Sequence, residues 1–317
     1  MKIILIIMFS LLSINASAIE MPFKKYESSG AVVDLVIDSN RLYSATDASA
    51  VDIFDIKSAK ILKTLKVDQI TDFMGDIIDS KVYSVDVLAG KIMILSQGKK
   101  GFRRVHIYEN EQMELIIPWS EKISIAKAKF IDKDTILLGT LGSMLIAYDI
   151  TSKKIKWEIQ ASGSKFSNFA LNETRDRVVS ADESGDLKIF DLKDGSLLKE
   201  LSGQNLDNVF QVAFKNSIIA TAGQDRRAVI YNLKNGSAYY EKASFLIYSI
   251  GLSDSAKLAA YSSDEYNNVT LFNTSTKKVL GKFGDNKMTI SNILFLGEDE
   301  LFVACDSNTI NLYKIKE

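Results

Sequence analysis

The chain has one cysteine, Cys305, one histidine, His106, and two prolines, Pro22 and Pro118, among its 317 residues. A single cysteine excludes an internal disulfide and the paired thiols of covalent haem attachment. Cys305 ends the apolar stretch LFVAC and reads as a small buried hydrophobe. One histidine beside one buried cysteine cannot supply the three or four ligands of a zinc site. A Ser-His-Asp or Cys-His nucleophile would have to use His106, which lies in RRVHIY, read as an outer strand far from any central pocket. No phosphate-cradling glycine loop and no EF-hand loop occurs. No cofactor and no catalytic residue is therefore expected. A hard-ion site built from Asp and Asn is the one metal chemistry left open.

Charge of one sign is also lacking. Lys and Arg number 39 against 40 Asp and Glu, a net charge of −1, which gives no electrostatic case for nucleic acid or a membrane surface. The one long apolar run, Ile3–Leu12, follows Met1-Lys2 and precedes Ala16-Ser17-Ala18. That order is a secretory leader with a small-x-small cleavage site. The run falls short of the ~20 residues that a spanning helix needs. Residues 1–18 are predicted to be removed, leaving residues 19–317 as one exported, periplasmic, monomeric domain with no membrane span.

What is present is a repeat. Arg177–Leu201 (RVVSADESGDLKIFDLKDGSLLKEL) reads as three short strands with two turns, and Phe166–Leu171 supplies a fourth, innermost strand. Third-strand anchors recur at Phe54, Leu95, Tyr148, Phe190, Tyr231, Phe272 and Tyr313, at intervals of 41, 53, 42, 41, 41 and 41 residues. Four strands in about 40 residues cannot bury both faces alone, and copies at this period stack as propeller blades. The expected fold is all-β, a seven-bladed β-propeller of four-stranded antiparallel blades. The first six blades are read as Ala31–Lys66, Thr71–Tyr108, Ile123–Gln160, Lys165–Ser202, Asn208–Lys242 and Leu246–Phe283. The last blade has only three strands, Ser291–Leu296, Glu300–Cys305 and Thr309–Ile315. Phe23–Ser28 is expected to supply the fourth and close the ring, removing an exposed edge. The interval of 53 is assigned to Ser96–Lys122, with Phe102–Tyr108 as an outer strand and Glu109–Lys122 as an enlarged connection.

Two groups of residues are candidates for binding. Aligning the inner strands puts Asp34, Gly75, Lys127, Asn168, Gln211, Ser249 and Asn292 in one column, polar in six of seven places, which would ring a mouth of the central channel. Hydration of a wet channel is the favoured explanation of the column and needs no ligand. Asp47, Asp186, Asp225, Asp264 and Asp306 occupy turns between second and third strands, where Asp can bond its own backbone. The turn Asp225-Arg226-Arg227 stands out for its Arg pair, which could seat a carboxylate, a phosphate or a partner protein. Arg103, Arg104 and Trp119 of the long connection join it as partner-binding candidates.

The blade pattern resembles WD-repeat propellers, most closely in SADESGDLKIFDLKDGSLLKEL and TAGQDRRAVIYNLKNGSAYYEK. Asp186 and Asp225 sit where that family keeps its turn Asp, and Phe190-Asp191 and Tyr231-Asn232 replace its Trp-Asp pair. No Gly-His dipeptide is present and no blade has the Trp of the Trp-Asp pair, so the family's His–Ser–Asp–Trp hydrogen-bond set is missing. As an exported seven-bladed chain of this size, it also resembles the NapL-like accessory propellers of bacterial periplasmic nitrate reductase. That resemblance implies a non-catalytic helper and carries no residues over. The expected function is a rigid scaffold that binds an exported redox enzyme or its maturation machinery. The alternatives are a lactonase-type propeller hydrolase with a divalent ion at the channel mouth, which a column with one carboxylate and no His disfavours, and an envelope assembly scaffold.

Overall fold

Seven antiparallel four-stranded meanders follow one another and form the blades of a β-propeller in the computed structural model, which describes residues 18–316. All of the predicted leader except Ala18 lies outside the described residues. The blades comprise Val32–Lys66, Val82–Ile117, Ile125–Gln160, Phe166–Leu201, Val209–Lys242 and Ile250–Phe283, with Ile290–Lys314 in the seventh. No helix among the described residues is long and apolar enough to cross a membrane.

Burial follows position within the blade. Second and third strands are covered on both faces, as in Arg41–Thr46 and Ala50–Asp55, because neighbouring blades sandwich them. Their sequences accordingly put apolar or small residues on both faces rather than alternating, with Asp52 buried among them. Outer strands such as Leu197–Leu201 face solvent along most of their length. The core is divided among the blade interfaces: Tyr43, Ile53 and Leu65 of blade one, for example, pack on Val85, Val87 and Ile94 of blade two. Some interfaces leave no room for a side chain. A Cβ on Gly251 would lie 2.6 Å from the carbonyl oxygen of Ile293 in the next blade.

The ring closes as the sequence predicts. Lys24–Glu27 pairs antiparallel with the third strand of blade seven, Lys24 opposite Leu312 and Glu27 opposite Thr309. Tyr26 is fully buried there, its hydroxyl donating to the Ile56 carbonyl at 2.6 Å and its ring set edge-on to Phe54 and Phe302. One residue of the first segment thus ties the last blade to the first. Ile19–Glu20 also runs parallel to the outer strand of blade six, a second anchor that the periodicity did not suggest.

Blade two corrects the sequence register. Its inner strand is Val82–Leu88, its second Lys91–Gln97, its third Arg103–Glu109 and its outer Gln112–Ile117. Leu95 therefore belongs to a second strand, and Tyr108, opposite Ile92, takes the anchor place. Phe102–Tyr108 is not an outer strand, and Glu109–Lys122 is mostly an ordinary strand rather than an enlarged connection. The extra residues lie instead between blades one and two, from Val67 to Lys81, and Gly75 falls there instead of in the polar column. The cause is the turn Leu88–Lys91, where Ala89 and Gly90 both have positive φ. It joins two apolar strands that are locally indistinguishable from a second–third pair.

Candidate functional site

In each blade the strands alternate in direction. Outer-to-inner connections and second-to-third turns therefore emerge on one face of the disc, and the remaining turns on the other. The first face gathers every partner-binding candidate: Asp225–Arg227 and Arg103–Arg104 sit at second-to-third turns, and Trp119 in an outer-to-inner connection.

Most of those side chains are committed to the fold. Asp225 accepts from the Arg227 N–H at 3.0 Å and the Leu206 N–H at 2.8 Å. Arg227 donates to the Gln204 carbonyl at 2.7 Å and lies 4.2 Å over the Tyr240 ring. Only Arg226, at positive φ on the tip of the turn, is exposed. Arg103 stacks 3.9 Å over Tyr83. Arg104 is buried and donates to the Asp68 carbonyl at 2.7 Å and to Ser80 Oγ at 3.0 Å. Burial lowers the pKa of both guanidinium groups. Trp119 is half-buried, its Cβ against Gly98. His106, expected on an outer edge, is buried in the third strand of blade two. Burial, and then the neighbouring Arg104, push its pKa down to about 4, so the imidazole is neutral in the fold.

The polar column is a belt. In most blades a bulge shifts the register just before the column residue, as between Val32 and Asp34 or Ile125 and Lys127. A bulge re-aims the side chain that follows it. Asp34 accepts from the Val85 N–H in blade two at 3.0 Å, and Ser84, the residue that replaces Gly75 in the column, shares its one hydroxyl proton between Asp34 at 3.1 Å and the Ala128 carbonyl of blade three at 2.8 Å. Lys127 donates to Asn168 Oδ1 at 2.8 Å, and Gln211 accepts from Ser249 Oγ and the Ile250 N–H. Asn292 returns to the Val33 carbonyl of blade one at 3.0 Å. These bonds hold neighbouring blades together around the axis.

Sequence reasoning missed the most exposed feature of the molecule. Val67–Lys81 forms a hairpin on the first face, with Ile70 opposite Ile78 and Thr71 opposite Ile77. Asp72 closes its tip: its carboxylate accepts from the Met74 and Asp76 N–H groups at 2.8 and 3.0 Å, and Gly75 supplies the positive φ of the turn. The base is pinned as firmly. Asp79 accepts from Ser49 Oγ at 2.9 Å and Gln69 Nε2 at 3.0 Å, bonds that lower its pKa, with Gln69 the larger cause. Arg104 clamps Asp68 and Ser80 from below. The finger so held presents Phe73, Ile77 and Met74 at 95, 74 and 72% exposure. Around them stand Asp68, Asp72, Asp76 and Asp79, with no basic residue from Val67 to Ser80. Leu141, Leu206, Phe245, Tyr266 and Met288, all exposed, stud other loops of the same face. The turns of the opposite face carry no exposed large apolar side chain.

Among the described residues no three His, Cys, Asp or Glu side chains cluster as a metal would require. Buried Asn and Tyr side chains tie loops of the first face to the blade strands. In blade five Thr221 donates to Asn205 Oδ1 at 2.7 Å, and Asn205 Nδ2 donates to the Tyr231 hydroxyl at 3.1 Å. Asn286, Asn311 and Tyr313 interlock likewise in blade seven. No family model matches the chain, and no curated protein matches its sequence. Fold and site together define the class as a seven-bladed β-propeller with one apolar, acidic loop face.

Proposed function

We propose that this propeller is a non-catalytic docking platform that binds another protein through the face bearing the Val67–Lys81 finger. One observation carries the reading: a hairpin pinned at base and tip holds three large apolar side chains in water. Covering each of them would contribute about 1.5–3 kcal/mol, and the fixed backbone lowers the ordering entropy of binding. The four aspartates choose the occupant. An acidic frame is repelled by an anionic lipid surface and fits a protein cleft with an apolar floor and Lys or Arg at its edges. Arg226 and Trp119 lie on the same face and extend the surface.

The test is a photo-crosslinking side chain at position 73 of the full-length protein in its own envelope, with position 58, on the opposite face, as comparison. The reading expects one polypeptide captured from position 73 and not from 58, through a peptide rich in apolar and basic residues. Lipid adducts, identical products from both positions, or no product would overturn it.

The finer reading makes the platform an exported, periplasmic accessory of the nitrate reductase system, and it rests on the whole-chain resemblance to such propellers. Purified periplasmic nitrate reductase would then bind the wild-type chain and lose binding to Phe73→Ser. Equal or no binding removes that assignment and leaves the docking surface to be judged by the crosslinks.

A further inference from the structure

On the opposite side of the disc the central channel opens into a cavity of about 510 Å³, to which all seven blades contribute. Its lining is mixed, and the apolar part comes from Leu35, Ile37, Leu171, Phe214 and Phe295 on inner strands of four blades. Charged residues are set among them, and most are matched. Lys129 pairs with Asp34 at 2.9 Å, Arg175 with Asp86 at 2.7 Å, and Lys215 with Asp254. On the rim, Glu173 accepts the Asn216 N–H at 2.5 Å.

Lys127 is the exception. It lines the cavity, yet among the described residues no carboxylate lies within ion-pair distance of it. Its ammonium donates one bond, to Asn168 Oδ1, and stands 5.4 Å from the centre of the Phe169 ring. An ammonium has three donors, so two remain for a partner. A half-buried cation without a counter-ion, set beside the Phe169 ring, is destabilising unless something completes it. Cavities with apolar walls and a single well-placed polar group are the common form of small-molecule sites.

We infer that the channel cavity binds a small organic anion with an apolar body, its carboxylate seated on Lys127 and its chain against the Phe169, Leu171 and Phe214 wall. The apolar side chains beside Lys127 favour a hydrocarbon body over inorganic phosphate or sulfate, and the single unpaired cation disfavours a polyanion. The site faces away from the finger, so it stands or falls separately from the docking surface.

Hexanoate is the probe, with hexylammonium and hexanol as controls of the same shape, measured by calorimetry on the full chain. One hexanoate per chain is expected, with hexylammonium not binding and hexanol binding more weakly. Lys127→Met should weaken hexanoate at least about tenfold, the scale of a charged hydrogen bond, while Lys127→Arg retains it. The three probes compared on the wild-type chain decide the charge requirement even if a variant folds poorly. Equal binding of hexanoate and hexylammonium, hexanoate affinity unchanged by Lys127→Met in a folded variant, or no hexanoate binding would each overturn the assignment.

Discussion

The two faces of the disc are built from the same repeat and end in opposite surfaces. One carries the finger, the scattered apolar side chains and a crowd of aspartates; the other carries polar turns around a channel whose charges are nearly all paired. The strands cannot account for the difference, since they serve both faces alike. It lies in the connections. An outer-to-inner connection must cross from the rim of one blade to the axis of the next, so it is the longer kind and tolerates growth. The finger is one such crossing, 15 residues long where the others have five to seven, stiffened by Asp72 at its tip and by Arg104, Ser49 and Gln69 at its root. Exposed apolar groups on a rigid support mark a surface meant to be covered.

The largest expected effect erases the comparison altogether, because both faces need a closed ring. Tyr26→Ala removes the side chain that joins blades seven and one, and should cost about 3–5 kcal/mol, read as a lowered denaturation midpoint. Next, His106 should govern stability on the acid side. Its pKa is pushed down to about 4 from 6.5, so the unfolded chain binds a proton that the folded chain refuses. Stability should fall as pH drops from 6.5 towards 4, by at most about 3 kcal/mol, and His106→Gln should flatten that limb. Serine at Phe73, Met74 and Ile77 together sharpens the contrast between faces. Partner affinity should fall about a hundredfold, while the melting temperature holds, since the three side chains pack on nothing. The smallest effect belongs to the channel side. Burial first, then Lys129, lower the Lys127 pKa to about 8, against the pull of Asp34 and Asp86. Between pH 8 and 10.5 the unfolded chain holds a proton that the native ammonium has lost. The Lys127 contribution should therefore become more favourable through that window, by about 1–2 kcal/mol after solvent screening. It is read as the difference between the wild type and Lys127→Met, because the buried tyrosines, whose pKa values burial raises, act in the opposite direction.

The fold was legible because a packed blade leaves a strict signature: two apolar strands, a turn with Asp, a third-strand aromatic and a 41-residue spacing. The closing strand was legible too, since three strands at one end and a spare one at the other leave a single solution. Blade two was not. Leu88–Lys91 and a true second-to-third turn use the same small residues, so anchoring on Leu95 shifted the blade by one strand. That slip hid the finger. Phe73, Met74, Ile77 and Ile78 were absorbed into an inner strand because apolar residues are ordinarily read as buried. Nothing local distinguishes an apolar pair in water from one in a core; the distinction comes from the register of the strands on either side. The column was visible as a pattern, but its bonds to neighbouring blades depend on bulges that a sequence does not display. The unpaired state of Lys127 is visible only once Asp34, Asp86 and Asp254 are seen to be engaged elsewhere.

The pairing of Lys24 with Leu312 also sets an order of events during folding. The segment made early is the one used last, and its partner strand is nearly the whole chain away. Blades one to six can form as they emerge, but the seventh stays an incomplete sheet until both ends meet, a contact of very long range and correspondingly slow. Until Lys24–Glu27 is seated, Thr309–Lys314 keeps an open edge, so the latch also shields the last blade from pairing with other chains.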